Sequence, residues 1–213
     1  MRVKGVLLDL DGTLVDSKEA YLEAARTAFA AVGKKTVDTK VALEIPRRLE
    51  QYRPIDDIVT QDLQKFLETY LKTYYSVTTT KTKPIPHISD TLKKLSEKAK
   101  LALVTMRYVP KKAVIEELEK FGLSQYFDYV MTALDTRNPK PSPEGLIKCV
   151  KELGVQMCDC VVVGDSVSDI RAGKAAGVKT VAVLSGIFSF EELRKEEPDL
   201  ILETVNLLPD LVE

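Results

Sequence analysis

The chain changes rhythm twice. It opens with a short apolar run, Val6-Leu7-Leu8, that stops abruptly in Asp9-Leu10-Asp11-Gly12-Thr13. A run of this length predicts a buried strand and is far too short for a membrane span. From Ser17 to about Tyr75 strand-like runs vanish and apolar positions recur at helical spacing. Ala20, Leu22, Ala24, Ala25, Ala28, Phe29 and Val32 mark one helix, with Asp16 or Ser17 as N-cap and Gly33 as stop. Residues 41–52 and 58–75 read as two further helices, parted around Pro54. The stretch VTTTKTKPIP, 77–86, is polar and carries two prolines, which predicts a hinge or linker.

From His87 onward strands and helices alternate. Helices are predicted at 88–98, 110–121, 142–153 and 167–176, and strands at 101–105, 127–131, 160–163, 181–184 and 200–202. Pro110 and Pro143 suit helix first turns, and Gly122, Gly154 and Gly177 suit helix ends. Apolar strands alternating with helices predict an α/β fold, a doubly wound parallel sheet covered on both faces. The opening strand must join that sheet, because alone it could not bury itself. The expected organisation is a core of 1–16 and 83–213 with a smaller inserted helical cap at 17–82.

Composition narrows the function classes. At 213 residues the chain can hold one sizeable core, or a core plus a small second domain. Lys+Arg number 31 against 32 Asp+Glu, a balance that argues against nucleic acid as the main partner. Three cysteines imply no disulfide framework. Cys158 and Cys160 form a Cys-x-Cys pair, read as small apolar residues leading into a strand rather than as metal ligands, since His87 is the only histidine. Lys4 and Asp9 leave too short an apolar region for a signal peptide, no stretch reaches membrane length, and a reducing cytoplasm is the expected location.

The polar residues just past strand ends are Asp9, Asp11, Thr105 and Asp165, with Lys140 in the loop after the third strand, counting the opening one. Open parallel sheets bind ligands at the carboxyl ends of their strands, so this topology would gather all five on one rim. Asp9 and Asp11 past a buried strand are costly unless a cation sits between them, although Asp-Gly is also an ordinary surface turn. The spacing is wrong for a calcium loop, whose sixth position is glycine and here is Leu14. Asp165 suits a hard cation such as magnesium, or else a helix cap; Asp169 can face the same side one turn later. Lys140, stiffened by Pro139, Pro141 and Pro143, can neutralise a phosphoryl group; otherwise it is a solvated surface charge. Thr105 can donate to a phosphate or be satisfied locally.

Four stretches in this order resemble the haloacid dehalogenase superfamily, and within it the phosphoglycolate phosphatase-like branch with a helical cap. Asp9-Leu10-Asp11-Gly12-Thr13-Leu14-Val15-Asp16-Ser17 matches the first motif, Thr105 in Val104-Thr105-Met106-Arg107 the second, Lys140 in Lys140-Pro141-Ser142-Pro143-Glu144 the third, and Gly164-Asp165-Ser166-Val167-Ser168-Asp169 the fourth. The resemblance implies that Asp9 is the nucleophile and Asp11 the general acid and base. It also implies that Mg2+ is held by Asp9, Asp165 and the backbone carbonyl of Asp11. Thr105 and Lys140, with Met106 adjacent, would bind the transferring phosphoryl group, and Asp169 would support Lys140 or the metal shell. The chain departs from the family at Pro86-His87, where relatives often have glycine after the proline, and at Met106, where they commonly have Asn or Ser. The cap is short, and its Arg47, Arg48 and Arg53 could meet an anionic substrate group or be solvated helix charges.

The implied activity is hydrolysis of a small phosphate monoester, with 2-phosphoglycolate as the leading substrate. The implied partner is a small phosphorylated metabolite, with no nucleic acid or membrane partner and a monomer or homodimer as the expected assembly. A sugar-phosphate mutase is a rival that the sequence barely separates. A 2-haloacid dehalogenase would not need Asp11 or a metal-ready Asp165, and a receiver-like module would need neither Asp11 nor the helical insertion.

Overall fold

Strand β1 (Gly5–Leu8) is buried along its whole length. In the computed structural model, which describes residues 1–213, β1 lies inside a six-stranded sheet. Two-residue strands β2 (Val15–Asp16) and β3 (Lys83–Pro84) pair with each other where the chain leaves and rejoins this part of the molecule. The sheet is completed by β4 (Lys100–Val104), β5 (Tyr129–Met131), β6 (Cys160–Gly164), β7 (Lys179–Val183) and β8 (Leu200–Leu202), in the order β5-β4-β1-β6-β7-β8. Every pairing is parallel. Gly5 to Leu8 lie opposite Lys100 to Leu103 on one side and Cys160 to Val163 on the other. The chain builds outward from β1 through β4 to β5, then returns to β1's other flank with β6. That reversal makes the carboxyl end of β1 a topological switch point, where open α/β sheets bind ligands.

The period-2 alternation of strands sorts side chains onto two faces. Val6, Leu8, Leu101, Leu103, Val161, Val163, Val181 and Val183 share one core with Leu92 and Leu95 of α4 (Ile88–Ser96) and Val114 and Leu118 of α5 (Lys111–Lys120). Leu7, Ala102, Val104 and Val162 share the other with Leu146, Cys149 and Leu153 of α6 (Glu144–Leu153) and Ala172 of α7 (Val167–Ala176). This is the doubly wound sheet that the alternating rhythm predicts. Phe188, Ala182 and Ile170 form a smaller cluster with Leu193 of α8 (Phe190–Lys195).

Asp16–Lys83 forms a second unit with its own core, and Met1–Val15 with Pro84–Glu213 forms the first. The second unit holds α1 (Lys18–Ala31), α2 (Thr39–Glu50) and α3 (Leu63–Lys81). Phe29 of α1 meets Phe66 of α3 edge-on at 4.8 Å, and Tyr21 stacks on Tyr74 at 5.2 Å.

Three local expectations need correction. Residues 58–62 are not helical: α3 starts at Leu63, where Asp62 as N-cap accepts the Lys65 N–H at 3.1 Å. The threonine-rich stretch is not a linker, because α3 continues to Lys81. Thr80 and Thr82 turn their hydroxyls back onto the carbonyls of Val77 and Thr78, so the helix absorbs polar groups that composition assigns to a loop. Cys160 is buried in β6 and donates its S–H to the Gln156 carbonyl, but Cys158 is exposed rather than part of the apolar lead-in. His87 is the N-cap of α4 with φ of 64°, a left-handed conformation that favours glycine.

Candidate active site

Four loops leaving β1, β4, β5 and β6 supply the polar residues. Lys140 sits at their centre, 3% exposed. Its Nζ donates to Asp9 Oδ1 at 2.6 Å, Asp169 Oδ1 at 2.6 Å and the Val104 carbonyl at 2.9 Å. An ammonium has three donors, so each is used. Burial opposes the charged form, but the Asp169 and Asp9 carboxylates outweigh it and hold the lysine above its ordinary value. The loop that delivers Lys140 is fixed by Glu144, whose carboxylate accepts the Arg137 and Asn138 N–H groups, both at 3.1 Å, and the Lys148 ammonium at 2.8 Å.

Asp169 is fully buried in the first turn of α7. While Oδ1 takes Lys140, Oδ2 accepts the Ser166 N–H at 3.2 Å and the Ser166 hydroxyl at 2.8 Å. Ser166 in turn accepts the Asp169 N–H, completing a capping box. The helix cap is therefore Ser166, leaving Asp165 just before it for other work.

Asp165 is enclosed by two loops. A Cβ at Gly12 would lie 2.4 Å from Asp165 Oδ2, and one at Gly186 only 1.6 Å from it. Glycine is the residue that lets both backbones approach this carboxylate, and Gly12 also has a φ of +81°. Thr13 donates its hydroxyl to Asp165 Oδ1 at 3.3 Å, and Ser185 donates to the Gly12 carbonyl at 2.6 Å, tying the loops together.

Asp9, Asp165 and Asp169 each offer a carboxylate oxygen, and these lie within 4.8 Å of one another. Three buried carboxylates against one ammonium leave a formal excess of two negative charges. Burying that excess is costly, and a divalent cation with oxygen preference offsets it. The donor set thus fits magnesium, with Asp9 and Asp165 the better placed, since both Asp169 oxygens already accept from Lys140 and Ser166.

The Asp11 carboxylate is not one of the three. Arg107 grips it through Nε to Oδ2 and Nη2 to Oδ1, both at 2.7 Å, and bonds Glu117 of α5 through Nη1. Sequence reasoning passed over both partners. The signals were a basic residue two positions past the strand-end Thr105, and an acidic residue between Val114 and Leu118 on the buried face of α5. A charge on an apolar stripe needs a partner. Thr105 is buried and its hydroxyl accepts the Arg107 N–H at 3.2 Å, while Met106 beside it is partly exposed.

Arg47 and Arg48 lie in the last turn of α2, in the helical unit. Arg48 bonds Glu44, Asp57 and the Pro54 carbonyl, and Arg47 lies 3.6 Å from Glu44. Hydrogen bonds to Asp57 and then Glu44 thus raise the Arg48 pKa and neutralise its charge within its own unit.

The model of the haloacid dehalogenase-like hydrolases matches residues 6–183, the span that carries every one of these loops up to β7. The chain belongs to the haloacid dehalogenase-like hydrolases. It is 31% identical to pyrophosphatase PpaX of Halalkalibacterium halodurans over 100% of this chain and 97% of that one. It is 32% identical to phosphoglycolate phosphatase of Escherichia coli K12, covering 98% and 92% respectively. Among solved structures, a haloacid dehalogenase-like family hydrolase from Streptococcus pneumoniae superposes with a TM-score of 0.83 over 99% and 98% of the two chains; at 18% identity this speaks for the fold alone. No helix of this haloacid dehalogenase-like chain is long and apolar enough to cross a membrane.

Proposed function

We propose that this chain is a magnesium-dependent phosphatase that hydrolyses a small phosphate monoester through an aspartyl-phosphate on Asp9. The observation that carries the reading is the Lys140 ammonium shared between Asp9 and Asp169 beside Asp165, within one buried group. A carboxylate at the switch point, a fixed cation beside it and an acidic pair suited to Mg2+ together meet the main demand of phosphoryl transfer, which is positioning and charge neutralisation.

In this reading an Asp9 oxygen attacks phosphorus and the bond to the ester oxygen breaks. The departing oxygen takes a proton from Asp11 and leaves as the alcohol. Water then attacks the phosphorus of the acyl phosphate, gives a proton to Asp11, and Asp9 returns as carboxylate with release of inorganic phosphate. Thr105 contacts the transferring oxygens, and Lys140 neutralises their charge from its place beside Asp9. Mg2+, held by Asp9, Asp165 and the Asp11 carbonyl, supplies charge neutralisation when bound. Asp169 acts through Lys140.

A small phosphorylated metabolite is the expected partner, and 2-phosphoglycolate leads because the curated relatives include phosphoglycolate phosphatases along nearly the full chain. Inorganic pyrophosphate is the second reading, favoured by the relative named pyrophosphatase PpaX. The test is a panel of phosphate esters plus pyrophosphate, with and without magnesium. Magnesium-dependent release of phosphate from one or a few small esters is expected. Inactivity on the whole panel, or equal rates in chelator, would overturn the reading.

A further inference from the structure

Arg107 is a buried cation between two acids, 4% exposed, with Glu117 at 3%. A guanidinium is planar and presents its donors in a fixed fork. Here the fork closes on both oxygens of Asp11, so the carboxylate plane follows the guanidinium plane. The opposite edge is fixed by Glu117, which α5 carries on its buried face between Val114 and Leu118. The backbone of Arg107 is fixed as well, through its N–H to the Thr105 hydroxyl at the end of β4. A carboxylate held at one oxygen can swing about its Cβ–Cγ bond; one gripped at two by an immobile partner cannot. A lysine at position 107 could neutralise Asp11 but not orient it.

We infer that Arg107, clamped by Glu117, is a positioning residue that sets the orientation of the Asp11 carboxyl for its proton transfers without itself binding substrate; the two-oxygen grip is that of the ionised form, the one that accepts the proton of the attacking water. This rests on the phosphatase reading above. Its consequence is a dependence on the leaving group. A 4-nitrophenolate departs without a proton, whereas an alkoxide needs one, so loss of aim at Asp11 falls mainly on alkyl esters.

The experiment measures kcat and KM with magnesium on 4-nitrophenyl phosphate and on the alkyl phosphate turned over fastest in the panel. The proteins are wild type, Arg107→Lys, Glu117→Gln, and Arg107→Lys combined with Asp11→Asn. Arg107→Lys should lower kcat on the alkyl ester by roughly 10–100-fold, the scale expected for a misplaced catalytic group. KM should hold within about threefold, since no ground-state contact is removed. The loss on 4-nitrophenyl phosphate should be several-fold smaller. Adding Arg107→Lys to Asp11→Asn should cost nothing more, because the two act as one unit. Glu117→Gln keeps the shape of α5 and should repeat the leaving-group pattern in weaker form, which keeps the test open if Arg107→Lys folds poorly. Equal losses on both esters, a rise in KM as the main effect, or multiplying losses in the double variant would each overturn the positioning role while leaving the phosphatase reading intact. A wild-type protein inert on both esters would overturn the phosphatase reading and this role together.

Discussion

Lys140 carries structural and chemical duties at one atom. Replacing it with methionine leaves Asp9 and Asp169 facing each other in a buried site without their shared cation. Breaking a buried ion pair from one side typically costs about 3–5 kcal/mol, so Lys140→Met should lower the urea midpoint by a corresponding amount; an unchanged midpoint would contradict the assigned network. The sign of its pH dependence follows from its raised value. The stabilisation is complete below the ordinary lysine value of 10.5 and is lost only as pH climbs beyond it. Asp9→Asn should fold, because the amide oxygen can still accept from Lys140, yet lose nearly all phosphatase activity; wild-type turnover would remove Asp9 as nucleophile. Asp11→Asn should slow turnover by roughly 10²–10⁴-fold on an ester with a poor leaving group, the range for a lost acid–base group.

At the scale of elements, the loop between β5 and α6 is held by one surface carboxylate. Hydrogen bonding from Lys148 and the Arg137 N–H brings the Glu144 carboxyl down from 4.5 to about 2. A depressed carboxyl stabilises the folded loop fully above about 4.5 and loses that contribution as pH falls through about 2. Amide exchange at Arg137 and Asn138, corrected for intrinsic rates, should therefore speed up as acid is added across this window. Glu144→Gln should speed it at neutral pH and flatten the trend. The α7 cap is the second such device, since Ser166 secures the very carboxylate that anchors Lys140. Ser166→Ala should cost about 1 kcal/mol as a lost N-cap, read by thermal or urea unfolding. Element reading from sequence failed where side chains satisfied the backbone unexpectedly. The threonines of α3 looked like a linker because composition registers their polarity but not where their hydroxyls turn.

For the whole molecule, a divalent cation that binds only the folded site should raise its stability. At about 100 times its Kd, magnesium adds about 2.7 kcal/mol, visible as a rise in Tm, and Asp165→Asn should abolish most of that rise. A Tm indifferent to magnesium would argue against the acidic group as its seat. The alternating apolar strands and helices determined the parallel sheet by themselves, because burial on both faces leaves a local imprint on each strand. The ordered motifs likewise marked Asp9, Asp11, Thr105, Lys140 and Asp165 as strand-end residues of one family, since each stands beside its own strand or loop in the sequence. Tertiary structure alone decided their partners. Asp169 turned out to be both the capping-box partner of Ser166 and the lysine anchor, and Asp11 was bound to Arg107, itself held by Glu117. The Lys140–Asp169 and Arg107–Asp11 pairings join residues 29 and 96 positions apart, and no local pattern records a contact made only when distant strands come to lie side by side.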